Sequence, residues 1–176
     1  MAKMKTVESR REEVQSASAT VEMMMAGLND HEPFVRAGVM ENVNVTKEML
    51  MSGIGDTDAY VRTGAMLSRN ASAEILMIGA TDTDANVRRA AMENPNATVD
   101  VLRIGVNDES GFVQSGVMLN PNATVEMLMI GLVSSNRNVR ASASKNKKVT
   151  TEMFEKGLTD KDWGVRSLAQ NSLKNR

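Results

Sequence analysis

The chain has 176 residues, a formal net charge of −1, no cysteine, a single histidine (His31), 15 methionines and only 3% aromatic residues. Without cysteine there is no disulfide, thiolate metal site or thiol nucleophile, and one histidine excludes a multi-histidine metal centre. The near-zero charge argues against a general nucleic-acid binder, and the composition points to an aliphatic, thioether-rich core with soft, adaptable contacts.

The N-terminal segment Met1-Ala2-Lys3-Met4-Lys5-Thr6-Val7-Glu8 lacks the apolar stretch of a secretory signal. No apolar run approaches the roughly 20 residues needed to cross a bilayer. The expectation is a cytoplasmic protein without a membrane partner. Charge is unevenly spread. Residues 1–136 carry 11 Lys+Arg against 18 Asp+Glu, and residues 137–176 carry 10 against 4, so an acidic body precedes a basic end.

In chain order, residues 1–17 read as an N-terminal cap, because Ser9-Arg10-Arg11-Glu12-Glu13-Val14-Gln15-Ser16 is charged and lies one period before Val35-Arg36. The period shows in several columns at one constant spacing. Glycines recur at Gly27, Gly53, Gly79, Gly105, Gly131 and Gly157. Valines recur at Val35, Val61, Val87, Val113, Val139 and Val165. Beside them run Arg36, Arg62, Arg88, Gln114, Arg140 and Arg166. Large apolar residues fall at Met24, Leu50, Leu76, Leu102, Leu128 and Phe154. The repeats are 18–43, 44–69, 70–95, 96–121, 122–147 and 148–173, followed by a short tail, 174–176, in a single repeat domain.

Each repeat predicts two short helices. Thr98 and its counterparts Thr20, Thr46, Ser72, Thr124 and Thr150 are placed to cap the first, with acids at Glu22, Glu48, Glu74, Asp100, Glu126 and Glu152 in its first turn. Those acids recur in every unit, as active-site pairs do not. The first helix is expected to end at the glycine through a left-handed cap, with apolar contacts such as Val106 on Val101, Ile54 on Met49 and Leu132 on Met127. The second helix begins near Val61 or Val87, after an acidic turn such as Asp82-Thr83-Asp84. It stops at Asn94-Pro95-Asn96 or Asn120-Pro121-Asn122, since proline disfavours helix in the residue before it. Helices this short are unstable alone and depend on stacking.

The stretch Asp82-Thr83-Asp84-Ala85-Asn86-Val87-Arg88-Arg89-Ala90-Ala91-Met92-Glu93-Asn94-Pro95-Asn96-Ala97-Thr98 resembles the leucine-rich-repeat variant family, a relative of HEAT-like helical repeats, and the resemblance extends over about residues 17–173. It implies a right-handed superhelix of alternating short helices, one of each pair 3₁₀. Some family members hold an iron–sulfur cluster on an N-terminal cysteine motif, which this chain lacks. The family often has a second proline where Thr98 and Thr124 stand, and a somewhat shorter repeat. The resulting fold expectation is all-α: a right-handed α-solenoid of six 26-residue two-helix repeats with an N-terminal capping helix. Such folds host unrelated roles.

The arginine column reads as an internal brace, since an acid lies six residues before most members: Asp30, Asp56, Asp82, Asp108 and Asp160. The asparagines Asn44, Asn70, Asn96 and Asn122 read as a turn ladder, and Gly38, Gly64, Ala90, Gly116 and Ser142 as sites of close helix packing. Phe34, Tyr60, Phe112 and Trp163 are expected to fill gaps between helices. His31 carries no role.

One stripe on the first helices falls opposite the core face yet is apolar: Met25, Met51, Met77, Ile78, Ile104, Met129 and Ile130, turning charged at Glu155 and Lys156. It is the candidate partner-binding surface, and a Met-rich strip suits an adaptable protein interface. The functional expectation is a non-enzymatic interaction scaffold without cofactor or metal, binding a protein partner. The alternatives are nucleic-acid binding through Arg137, Arg140, Lys145, Lys147 and Lys148, or self-association of the acidic body with the basic end. No phosphate-binding loop, metal-ligand spacing or nucleophile–histidine pair is present.

Overall fold

In a computed structural model the backbone of residues 5–174 is described, with the side chains of residues 154, 156, 157, 168, 169 and 171–174 excepted. Phe154, Lys156, Gly157 and the tail residues beyond 174 therefore lie outside the described side chains. The described residues form helices and no strand: α1 (Val7–Gln15), α2 (Val21–Leu28), α3 (Pro33–Met40), α4 (Lys47–Ile54), α5 (Ala59–Leu67), α6 (Ala73–Gly79), α7 (Ala85–Glu93), α8 (Val99–Val106), α9 (Gly111–Leu119), α10 (Val125–Leu132), α11 (Arg137–Lys145), α12 (Thr151–Leu158) and α13 (Trp163–Lys174). All are α-helices. The 3₁₀ member implied by the family resemblance does not occur among them. No helix among the described residues is long and apolar enough to cross a membrane.

The helix starts follow the capping logic of the sequence. The hydroxyls of Thr20, Thr46, Ser72, Thr98 and Thr124 each accept the backbone N–H three residues on, at the heads of α2, α4, α6, α8 and α10. Asp58, Asp84 and Asn136 cap α5, α7 and α11 through the N–H two residues on.

The helix ends differ from expectation. No glycine among the described residues has a positive φ, so the glycine column forms no left-handed cap. Gly27, Gly53, Gly105 and Gly131 lie one residue inside the ends of their helices, and Gly79 is the last residue of α6. What fixes them is space. A Cβ on Gly53, Gly79, Gly105 or Gly131 would collide with the sulfur of Met40, Met66, Met92 or Met118 on the odd-numbered helix before it. At Gly27 it would meet Val14 Cγ1 at 2.7 Å. The methionines are fully buried, and they occupy the volume the glycines leave.

Packing is between neighbours. Helices α2, α4, α6, α8 and α10 each pack against the odd-numbered helices on either side. The odd-numbered helices also lie side by side in order from α1 to α13, far more intimately than the even-numbered ones do among themselves. Gly38, Gly64 and Gly116 allow this closeness: a Cβ on Gly64 or Gly116 would stand 3.2 Å from Cβ of Met40 or Met92. One core runs through the whole array, built from Val35, Leu50, Val61, Leu76, Val87, Leu102, Val113, Leu128, Val139 and their neighbours.

Candidate interaction surfaces

Two polar ladders tie each helix pair to the next, and they decide which polar residues remain available to a partner. The first is the arginine column. Arg36 donates from Nε and a terminal nitrogen to both carboxylate oxygens of Asp56, at 2.7 and 2.9 Å. Arg62 does the same to Asp82, Arg88 to Asp108 and Arg10 to Asp30. Arg140 reaches Asp160 at 2.7 Å. The remaining guanidinium nitrogen donates to the carbonyl six residues back, as Arg36 does to Asp30 and Arg62 to Asp56. The acid six residues before Arg36, Arg62, Arg88 and Arg166 is thus touched through its backbone, and the carboxylate partner of each brace lies twenty residues ahead. Both ends are largely buried, so the column is a brace and no phosphate-tracking stripe.

These pairs set the protonation of their acids. The Arg36 guanidinium holds the Asp56 carboxyl below its ordinary range. At Asp82 and Asp108 burial is the largest influence and pushes upward, but hydrogen bonds from Arg62 or Arg88 and from backbone N–H groups outweigh it, leaving both lowered. One brace is missing. Gln114 replaces arginine and Ser134 replaces its acid, and Gln114 keeps only the bond to the Asp108 carbonyl, at 2.7 Å.

The second ladder is made of asparagines. Asn70, Asn96 and Asn122 each donate from Nδ2 to two carbonyls of the equivalent turn one period earlier, 27 and 25 residues back. Two residues earlier runs a buried column that sequence reasoning treated only as a helix stop. Asn42, Asn94, Asn120 and Asn146 each donate to carbonyls 28 and 26 residues back, at 2.6–3.0 Å. Each also accepts, through Oδ1, the N–H two residues on. Its signal was present as one asparagine per period before the turn, broken at Ser68.

The apolar stripe lies on the even-numbered helices. Met25, Met51, Met77, Ile78 and Ile130 are exposed, the last two at 46% and 51%, and Val21 and Val125 extend the surface at the helix starts. Ile104 and Met129 are partly buried against the core, so the stripe is continuous in register but uneven in height. An open depression between α6 and α8 is floored by Met77 and Ile78 and edged by Glu74 and Asp100.

The aromatic residues do not fill gaps. Phe34, Tyr60 and Phe112 are about half exposed and Trp163 is 75% exposed. Each of the first three stands one residue before a buried valine, and that single step of about 100° carries the ring off the core face. The rings are held from outside. Phe34 and Tyr60 stack with centroids 6.3 Å apart, and the guanidinium of Arg11 lies 3.8 Å above Phe34, as that of Arg89 lies 4.0 Å above Phe112.

The basic cluster comes together only in part, with Lys145, Lys147 and Lys148 lining one groove beside Leu119 and Pro121. Arg140 is 4% exposed and committed to Asp160. Arg137 and Lys145 stand at opposite ends of α11, about 12 Å apart along its axis. Arg137 lies 3.8 Å from Asp162, and the Lys148 ammonium donates to the Ala123 carbonyl at 3.0 Å. Lys145 and Lys147 are exposed at the C-terminal turn of α11. Among the described residues no group of three or more His, Asp or Glu is placed to hold a metal ion. His31 is exposed between Asp30 and Glu32.

No protein-family profile matches the chain, and no curated protein matches it significantly.

Proposed function

We propose that the protein is a non-enzymatic cytoplasmic scaffold of the leucine-rich-repeat variant or HEAT-like kind, a right-handed solenoid of six two-helix repeats that grips a protein partner. The observation that carries this reading is the exposure of five large apolar side chains, Met25, Met51, Met77, Ile78 and Ile130, in two adjacent columns across four even-numbered helices. Polar residues would serve solubility better at such positions, and a shared apolar register over several elements is what a protein partner can cover. The ladders support the same reading, because they absorb most of the arginine column into structure.

The closer approach of the odd-numbered helices supports a curved array with those helices on the inside and the apolar stripe on the outside. Small-angle scattering tests the shape. A compact chain of this length has a radius of gyration of about 16 Å. Six layers at about 10 Å each give an elongated particle about 60 Å long and a clearly larger radius.

Photo-crosslinking in the native host tests the surface. A photoreactive residue at Met77 is expected to capture a partner, one at Arg69 in the turn between α5 and α6 is not, and Ile78→Glu abolishes capture while the melting temperature stays near wild type. Equal capture from both positions, or capture that survives Ile78→Glu, would refute the stripe. Ile104→Glu is the contrasting variant, since its partly buried site costs stability when charged.

A further inference from the structure

The apolar stripe has an acidic margin along one edge. Glu22, Glu48, Glu74, Asp100 and Glu126 stand exposed in the first turns of α2, α4, α6, α8 and α10. Each lies one helical turn from the stripe position of its own helix, as Glu74 does from Met77 and Ile78. Those three residues and Asp100 line the same open depression. The other edge is uncharged, because the five helices end on Asn29, Gly55, Ala80, Asn107 and Val133.

Against five acids the same helices carry two cations, Lys47 and Arg103. Both are engaged within the margin. The Lys47 ammonium crosses from α4 to Glu74 on α6 at 2.6 Å, and Arg103 meets Asp100 at 2.7 Å. Glu22, Glu48 and Glu126 form no ion pair among the described residues. The Lys47 bridge shows that an ammonium from a neighbouring element is taken up between successive rows of this edge.

Spacing selects the shape of the partner. Packed helices lie about 10 Å apart, and an α-helix advances about 10.5 Å in seven residues, so heptad positions return to the same face once per layer. An extended strand covers about 10 Å in three residues, which turns successive contacts to opposite faces. Met25, Met51 and Met77 form the unbroken part of the methionine column, and Arg103 interrupts it on α8.

We propose that α2, α4 and α6 seat a basic amphipathic helix of about three heptads, laid across the layers. Its apolar residues cover Met25, Met51, Met77 and Ile78, and lysine or arginine along one flank meets Glu22, Glu48 and Glu74. This rests on the scaffold reading above and names the chemistry of the partner.

The probe is a labelled 21-residue peptide with leucine at the first and fourth places of each heptad, lysine at the fifth, and alanine and glutamine elsewhere. Fluorescence anisotropy with the whole protein is expected to show saturable binding. A peptide with glutamate in place of lysine should bind about tenfold more weakly, with the gap closing at high salt. Met51→Ser and Ile78→Ser should each weaken binding with the melting temperature unchanged, and Glu22→Gln with Glu48→Gln should narrow the lysine–glutamate gap. Equal binding of the two peptides overturns the charge complementarity and leaves the stripe standing. Undiminished binding of a lysine peptide with a central proline overturns the helical partner. Binding that ignores Met51→Ser and Ile78→Ser overturns the seat and the stripe together. No binding by the lysine peptide overturns the proposal, while crosslinking at Met77 still decides the stripe.

Discussion

At the scale of single residues, stability rests on pairs that span the junctions between repeats. The Asp56, Asp82 and Asp108 carboxyls titrate lower in the folded chain than in the unfolded one. Their contribution is therefore complete above the ordinary aspartate range, about 3.9, and is lost as pH falls through the lower folded values. Denaturant unfolding at stepped pH is expected to show flat stability from about pH 7 to about pH 5 and a steep decline below about 4. A second expectation concerns the glycine–methionine contacts. Gly105→Ala drives a methyl into Met92 and Val117, which come within 2.7 Å of the ideal Cβ position. Overpacking of this kind costs about 1–3 kcal/mol, partly offset by the better helix propensity of alanine. Met92→Ala alone should cost about 2–5 kcal/mol as a cavity. The double variant should lose clearly less than the sum, and a thermodynamic cycle from chemical denaturation measures the difference. The glycine period was plain in the sequence but its cause was not. A left-handed cap and a steric recess both demand glycine, and only the placement of the methionine on the helix before it separates them.

Among the elements, the junction between α9 and α11 is the one without an arginine brace. Both partners are replaced together, Gln114 for the arginine and Ser134 for the acid, so neither side is left as a partly buried unpaired charge. Restoring both as Gln114→Arg with Ser134→Asp is expected to stabilise the chain, with a coupling of roughly 1–2 kcal/mol between them. Each single change should be neutral or unfavourable. Thermal melts of the four proteins decide it, and additive behaviour would mean that the junction has relaxed into a different geometry. Helix starts, the turn and the proline stop were legible because hydroxyl caps and Asn-Pro-Asn act locally. The asparagine rungs were not, because an amide reaching a carbonyl a whole repeat back leaves no local trace beyond its recurrence. The exposure of Phe34 and Tyr60 was equally hidden. An aromatic beside a core valine reads as core until the helix rotation is known, and Arg11 on the ring face belongs to a different helix, α1.

Across the whole molecule, every ladder described joins positions 20 to 28 residues apart, about one period, and reaches nothing farther. The chain is therefore closed under excision of one period. Removal of 70–95 would join Arg69 to Asn96, bring Asp108 within reach of Arg62, and give Asn96 the carbonyls of Val43 and Val45 that Asn70 now holds. That shortened chain is expected to remain helical and to melt cooperatively, while removal of 70–92 shifts each donor off its acceptor and should give a far less stable product by circular dichroism. Copy number is then a variable the architecture leaves open. Duplication or loss of a 26-residue block changes reach and the number of exposed sites without asking any surviving residue to find a new kind of partner. A lineage could therefore tune the span of this protein by unequal crossing-over alone, with the ladders acting as the filter that admits only whole multiples of the period.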